Sequence, residues 1–214
     1  MDTVAPQRTL PRRQMVDTKR NRLKLEEWTE MPSGEAMTIP ECFNAAERSC
    51  VNETFSHAER LTGKFYDIAP KAWLARRYDV KTLAQLENHE VHETAFAHLC
   101  KYSAPQAYDK EAWKGFHFYR VCLQDNRILD AIERGSSYIK LVPLLLYIAT
   151  HELVHILRFE RGESDFDMPV EERKKEEGRV DAITRSILRP RADRELNLVL
   201  DCFGNDYRIG DISN

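Results

Sequence analysis

A chain of 214 residues, 42% hydrophobic and 31% charged, can build one sizeable core and has the balance of an ordinary globular protein. A net charge of -3 excludes an overall basic polyelectrolyte, and no specific nucleic-acid partner is expected. Five cysteines (Cys42, Cys50, Cys100, Cys122, Cys202), odd in number and without a Cys-x-x-Cys pair, argue against a disulfide framework and for reduced thiols in the cytoplasm. Cys42 and Cys50 with His57 are a weaker metal-binding alternative, because their spacing is unconventional.

Residues 1–37 are basic, with Arg8, Arg12, Arg13, Lys19, Arg20, Arg22 and Lys24 against Asp2 and Asp17. They lack the apolar core of a secretory signal and read as a solvated tail. A transit peptide or a contact with an anionic surface is the alternative. A single mostly helical domain is expected over 38–206, followed by a short tail, 207–214. Its first helix is predicted from about Thr38, with Pro40 in the first turn, to Leu61, with Gly63 as the stop. A short helical piece (69–77) and a longer helix (79–102) come next. The segment 118–134 carries Val121, Ile128, Leu129 and Ile132 near one face and ends at Gly135, a candidate left-handed cap.

Residues 138–142 can form a short extended run. A nearly all-apolar helix is then predicted from Leu144 to Phe159, with Pro143 in its first turn and Gly162 at its end. The longest apolar run, 141–150, is about half of what a bilayer requires, so no membrane span is expected. A polar loop leads to Met168-Pro169 and another helix reaching Leu188. Residues 195–203 are open between a strand and a last helix. The fold class is mainly α, with α+β possible and at most a small β element.

The informative motif is His151-Glu152-Leu-Val-His155 within Ile148-Ala-Thr-His-Glu-Leu-Val-His-Ile-Leu157. Histidines four apart lie one above the other on a helix face and can grip one metal ion from adjacent corners of a tetrahedron. Glu152 can reach a water polarised by that ion. The alternative is a buried helix whose histidines are satisfied by hydrogen bonds, but two imidazoles and a carboxylate are costly to bury without a metal.

Over about ten residues this stretch resembles the zincin metallopeptidases. The chain has no histidine after His155, unlike the metzincins. Downstream lies Glu176-Glu177-Gly178-Arg179-Val180-Asp181, similar to the gluzincin arrangement, in which a glutamate on a second, antiparallel helix completes the zinc site and an aspartate one turn later bonds the first histidine. The resemblance, confined to 138–188, implies Glu177 as third ligand, Asp181 as the partner of His151, one Zn2+ per chain, Glu152 as general base, and a peptide or protein substrate. Glu176 stays open as the ligand instead, and the run from Glu171 to Glu177 also reads as a solvated charged face. Gly178 is expected to let two helices approach closely. A gluzincin would also align its peptide on an edge strand, for which 138–142 is the nearby candidate.

His89, His92, Glu93 and His98 lie upstream, where a helix would place several on one face. They are read as exposed polar residues, with two alternatives: a di-metal redox centre, or a histidine lining a cleft. Tyr147, Tyr207 and these histidines are the candidates for stabilising an oxyanion. The readings carried forward are a zinc metallopeptidase, a non-catalytic zinc-binding or interaction protein, and a helical di-metal redox protein.

Overall fold

The computed structural model describes residues 16–17, 41–74, 78–103, 117–135 and 138–203. Most of these are helical, beside a small sheet. The elements are β1 (Val16–Asp17), α1 (Ala45–Phe65), α2 (Pro70–Leu74), β2 (Tyr78–Lys81), β3 (Ala97–Ser103), β4 (His117–Leu123), α3 (Asp125–Arg134), α4 (Leu141–Glu160), α5 (Val170–Leu188) and α6 (Arg194–Phe203). Single 3-10 turns at Leu83–Gln85 and Asn88–Glu90 link β2 to β3.

Helix α4 is the axis of the molecule. Leu144, Leu145, Ile148, Ala149, Leu153, Val154, Ile156 and Leu157 are all buried on it, and α1, α5 and α6 pack around it. Each of these leucine, isoleucine and valine side chains contributes about 1.5–3 kcal/mol. By length and composition alone α4 could cross a bilayer, but 72% of that window is buried inside the fold.

Its C-terminus is a Schellman motif. Gly162, at φ 66°, lets its own N–H reach Phe159 O at 3.1 Å and that of Glu163 reach Arg158 O at 2.9 Å, which satisfies carbonyls the helix end leaves open. Gly135 is not the left-handed cap expected of it (φ -68°). A Cβ there would stand 2.8 Å from the Ile139 side chain, so close approach is its reason for being glycine.

The sheet has the order β1-β3-β4-β2, with β3 antiparallel to β1 and β4 and β2 parallel to β4. It corrects the sequence reading in three places. The helix expected over 79–102 is instead β2, two 3-10 turns and β3. The segment 118–134 divides at Gln124 into a strand and a helix. The extended run expected over 138–142 is a turn, and Lys140 is already the N-cap of α4.

Helix α1 starts later than predicted, because Asn44 and Glu47 form a capping box: the Asn44 side chain accepts from the N–H groups of Ala46 and Glu47, and Glu47 accepts from Asn44 N–H at 2.8 Å. Gly63 does not stop it. It lies inside the last turn, where a Cβ would meet Trp73 Nε1 at 2.8 Å. The stretch 195–203 is helical, and α5 ends in the 3-10 turn Arg189–Arg191. Of 1–37 only Val16–Asp17 is described, and 207–214, including Tyr207, lies outside the described residues.

Candidate metal centre

Helix α4 places His151 and His155 one turn apart on the face turned to α5. Their Nε2 atoms are 3.2 Å from each other, and Glu177 Oε2 of α5 is 3.2 Å from the first and 3.4 Å from the second. Donors held about 2.0–2.1 Å from a tetrahedral ion stand about 3.3 Å apart, so the three atoms already have the spacing of ligands around one centre. His155 is buried and Glu177 half-exposed. In both imidazoles Nδ1 is buried without a hydrogen-bond partner. Two histidines and a carboxylate suit zinc chemically.

The surroundings favour the charged forms of Glu177 and His151 and the neutral form of Glu152. Burial works against the ionisation of Glu177, but its hydrogen bonds to His151 and His155 and their charges hold it well below the ordinary glutamate range. Burial also opposes charge on His151, yet Glu177, Glu152 and Asp181 together raise its pKa. Glu152 is 7% exposed; burial raises its carboxyl above the usual range, against the lowering charges of His151, His155 and the more distant His98.

Glu176 points elsewhere. It is buried and receives Arg158 Nε at 2.6 Å and Nη2 at 3.1 Å, while Arg158 Nη1 donates to Glu163 at 2.8 Å. An arginine inside an otherwise apolar helix demands such a counter-ion, and that was the available signal for the role of Glu176. Asp181 sits near His151, but Nδ1 to Oδ1 is 4.0 Å, too long for a hydrogen bond. Its Oδ1 instead accepts the Tyr147 hydroxyl at 2.5 Å, so Tyr147 is engaged with α5. Gly178 has no neighbour within 4 Å of a Cβ. It does not mediate a close helix approach.

The upstream histidines share no helical face. His89 Nε2 lies 3.3 Å from the Tyr102 hydroxyl, and His92 Nδ1 accepts the backbone N–H groups of Thr94 and Ala95 at 3.2 Å. Glu93 is exposed in a bend. His98, on β3, meets Cys100 and Cys122, two thiols the sequence left unassigned. No disulfide joins any of the five cysteines, all of which are among the described residues. Cys42, Cys50 and His57 do not converge as a metal-binding group there.

A surface concavity of about 330 Å³ is lined by Glu163, Asp165, Glu172 and Glu176 among others, with none of His151, Glu152, His155 or Glu177 in its wall. It belongs to the Glu176 side of α5. No protein-family profile, characterised protein or solved structure matches the chain.

Proposed function

We propose that the protein is a zinc-dependent peptidase of gluzincin type, in which His151, His155 and Glu177 hold the ion and Glu152 is the general base. The convergence of three donor atoms from two helices at 3.2–3.4 Å carries this reading. Bound zinc supplies a Lewis acid for the scissile carbonyl and a water of lowered pKa. Glu152, next to His151 and made more basic as a carboxylate by burial, would accept the proton of the attacking water and pass it to the leaving amine. Glu177, held ionised by the histidines, stays available as an anionic ligand.

The strand beside α4 is β3. It pairs with β4 along its length, while β1 covers only Tyr102 and Ser103, so among the described residues the edge from Ala97 to Lys101 has no strand partner. An extended peptide would add to this edge through main-chain hydrogen bonds. In this role β3 takes the place first considered for 138–142.

A second reading keeps the metal and drops the catalysis. It is favoured by the mostly helical make-up of the described residues, which leaves only a small sheet beside the His151 cluster. Glu152→Gln separates the two. The variant should retain zinc and lose hydrolysis of a peptide library by at least about 100-fold. A zinc-loaded wild-type protein that cleaves nothing would leave the non-catalytic reading standing.

A further inference from the structure

The sheet carries a second set of convergent donors that the proposed peptidase does not use. Side chains alternate across a strand. Ala97, Leu99, Tyr119, Val121 and Leu123 contribute to the helical core; His98, Cys100 and Cys122 therefore project from the opposite face. His98 is directly opposite Cys122 in the β3–β4 register, and Cys100 is opposite Arg120. His98 Nε2 is 3.5 Å from Cys100 Sγ, and Cys100 Sγ is 3.7 Å from Cys122 Sγ. All three ligand atoms lie within 4.8 Å of one another.

Zinc bonds of about 2.3 Å to sulfur and about 2.0–2.1 Å to nitrogen place tetrahedral corners about 3.8 Å apart for two sulfurs and about 3.5 Å apart for sulfur and nitrogen. The observed separations match both values. A disulfide fits less well. The two cysteines are diagonal in the ladder, where Cα atoms stand roughly 7–8 Å apart, at or beyond the limit of about 7 Å that a disulfide bridges without backbone movement.

We propose that His98, Cys100 and Cys122 form a second metal site, binding one thiophilic ion such as Zn2+ and clipping β3 to β4 behind the strand beside α4. His92 is the near neighbour, its ring 5.4 Å from that of His98. Its Nδ1 accepts two backbone N–H groups, so its proton sits on Nε2, a donor and not a ligand. The fourth position is left to solvent. Soft thiolates select this ion class over the hard cations that prefer oxygen. The site is independent of the peptidase reading, because it shares no residue with His151, His155 and Glu177.

The test uses the full chain, purified under reducing conditions and loaded with Co2+ in place of zinc. A thiolate-to-cobalt charge-transfer band is expected, and it can come only from a sulfur-containing site. It should persist in His151→Ala/His155→Ala and in Cys42→Ser/Cys50→Ser/Cys202→Ser. It should vanish in Cys100→Ser/Cys122→Ser and weaken in His98→Ala. A wild-type protein with no such band overturns the proposal, whether or not the serine variant folds. So does a band that survives loss of Cys100 and Cys122, or denatured thiol titration revealing a Cys100–Cys122 disulfide in the as-purified chain. Loss of bound ion from His151→Ala/His155→Ala with the band intact supports both sites, and an intact band with no such loss supports this one alone.

Discussion

Glu176 and Glu177 are chemically identical neighbours separated by about 100° around α5. Glu176 shares its face with Val180, four residues on and fully buried, which turns it toward Arg158. Glu177 shares its face with Asp181 and turns toward His151. Glu177→Ala should therefore abolish tight metal binding while leaving the fold in place. Glu176→Gln should leave metal content unchanged but cost about 2–3 kcal/mol in urea unfolding, because buried Arg158 loses the carboxylate that takes two of its hydrogen bonds. The reverse pattern would exchange their roles. At this scale the sequence was informative, since four-residue spacings translate directly into shared helix faces. It did not resolve the partner of Asp181, because the Tyr147 hydroxyl comes from the turn before His151 and competes for the same oxygen.

Elements whose cause is local were legible, and those whose cause is distant were not. Helices α4 and α5 arise from an uninterrupted apolar run, Pro143, Gly162 and Pro169, all visible in the chain. Strand β3 was hidden inside a long polar window. Its alternation of Ala97 and Leu99 against His98 and Cys100 spans few residues, and the parallel pairing of β2 with β4 depends on contacts about 40 residues apart in sequence. Two glycines probe the helices with opposite signs. Gly162→Ala, at positive φ, should destabilise by about 1 kcal/mol. Gly178→Ala, exposed within α5 and with open space at its Cβ, should stabilise by up to about 1 kcal/mol. Thermal unfolding of the two variants checks both signs, and a shared sign would contradict the roles given to the two glycines.

Across the whole molecule, one core cluster runs from Phe43 to Leu200, and a buried polar knot ties the 3-10 turn Asn88–Glu90 to the outer face of the sheet. Glu90 accepts Arg120 Nη1 at 2.9 Å, the Tyr102 hydroxyl at 2.5 Å and the Glu87 N–H at 2.9 Å, while Arg120 also forks onto Asp79 at 2.8 Å. Burial opposes ionisation of Glu90, but these donors hold its pKa at about 2, below the ordinary value of 4.5. A depressed folded-state pKa gives stability that is fully present above 4.5 and is lost as the pH falls toward 2. Glu90→Gln should cost about 3 kcal/mol at neutral pH, with the gap from wild type narrowing over that acid window. An equal gap at pH 7 and pH 2.5 would show that the charge of Glu90 is not what holds the knot.

The central claim is a nitrogen-and-oxygen metal centre made by His151, His155 and Glu177. X-ray absorption at the zinc edge, on the Cys100→Ser/Cys122→Ser protein, tests it with the sulfur site removed. The expected result is a bound ion whose first shell holds two imidazoles and oxygen at about 2.0–2.2 Å, with no sulfur, and whose zinc content falls on adding Glu177→Ala. A protein that binds no zinc in this background, or one whose zinc shell is unchanged by Glu177→Ala, would contradict it.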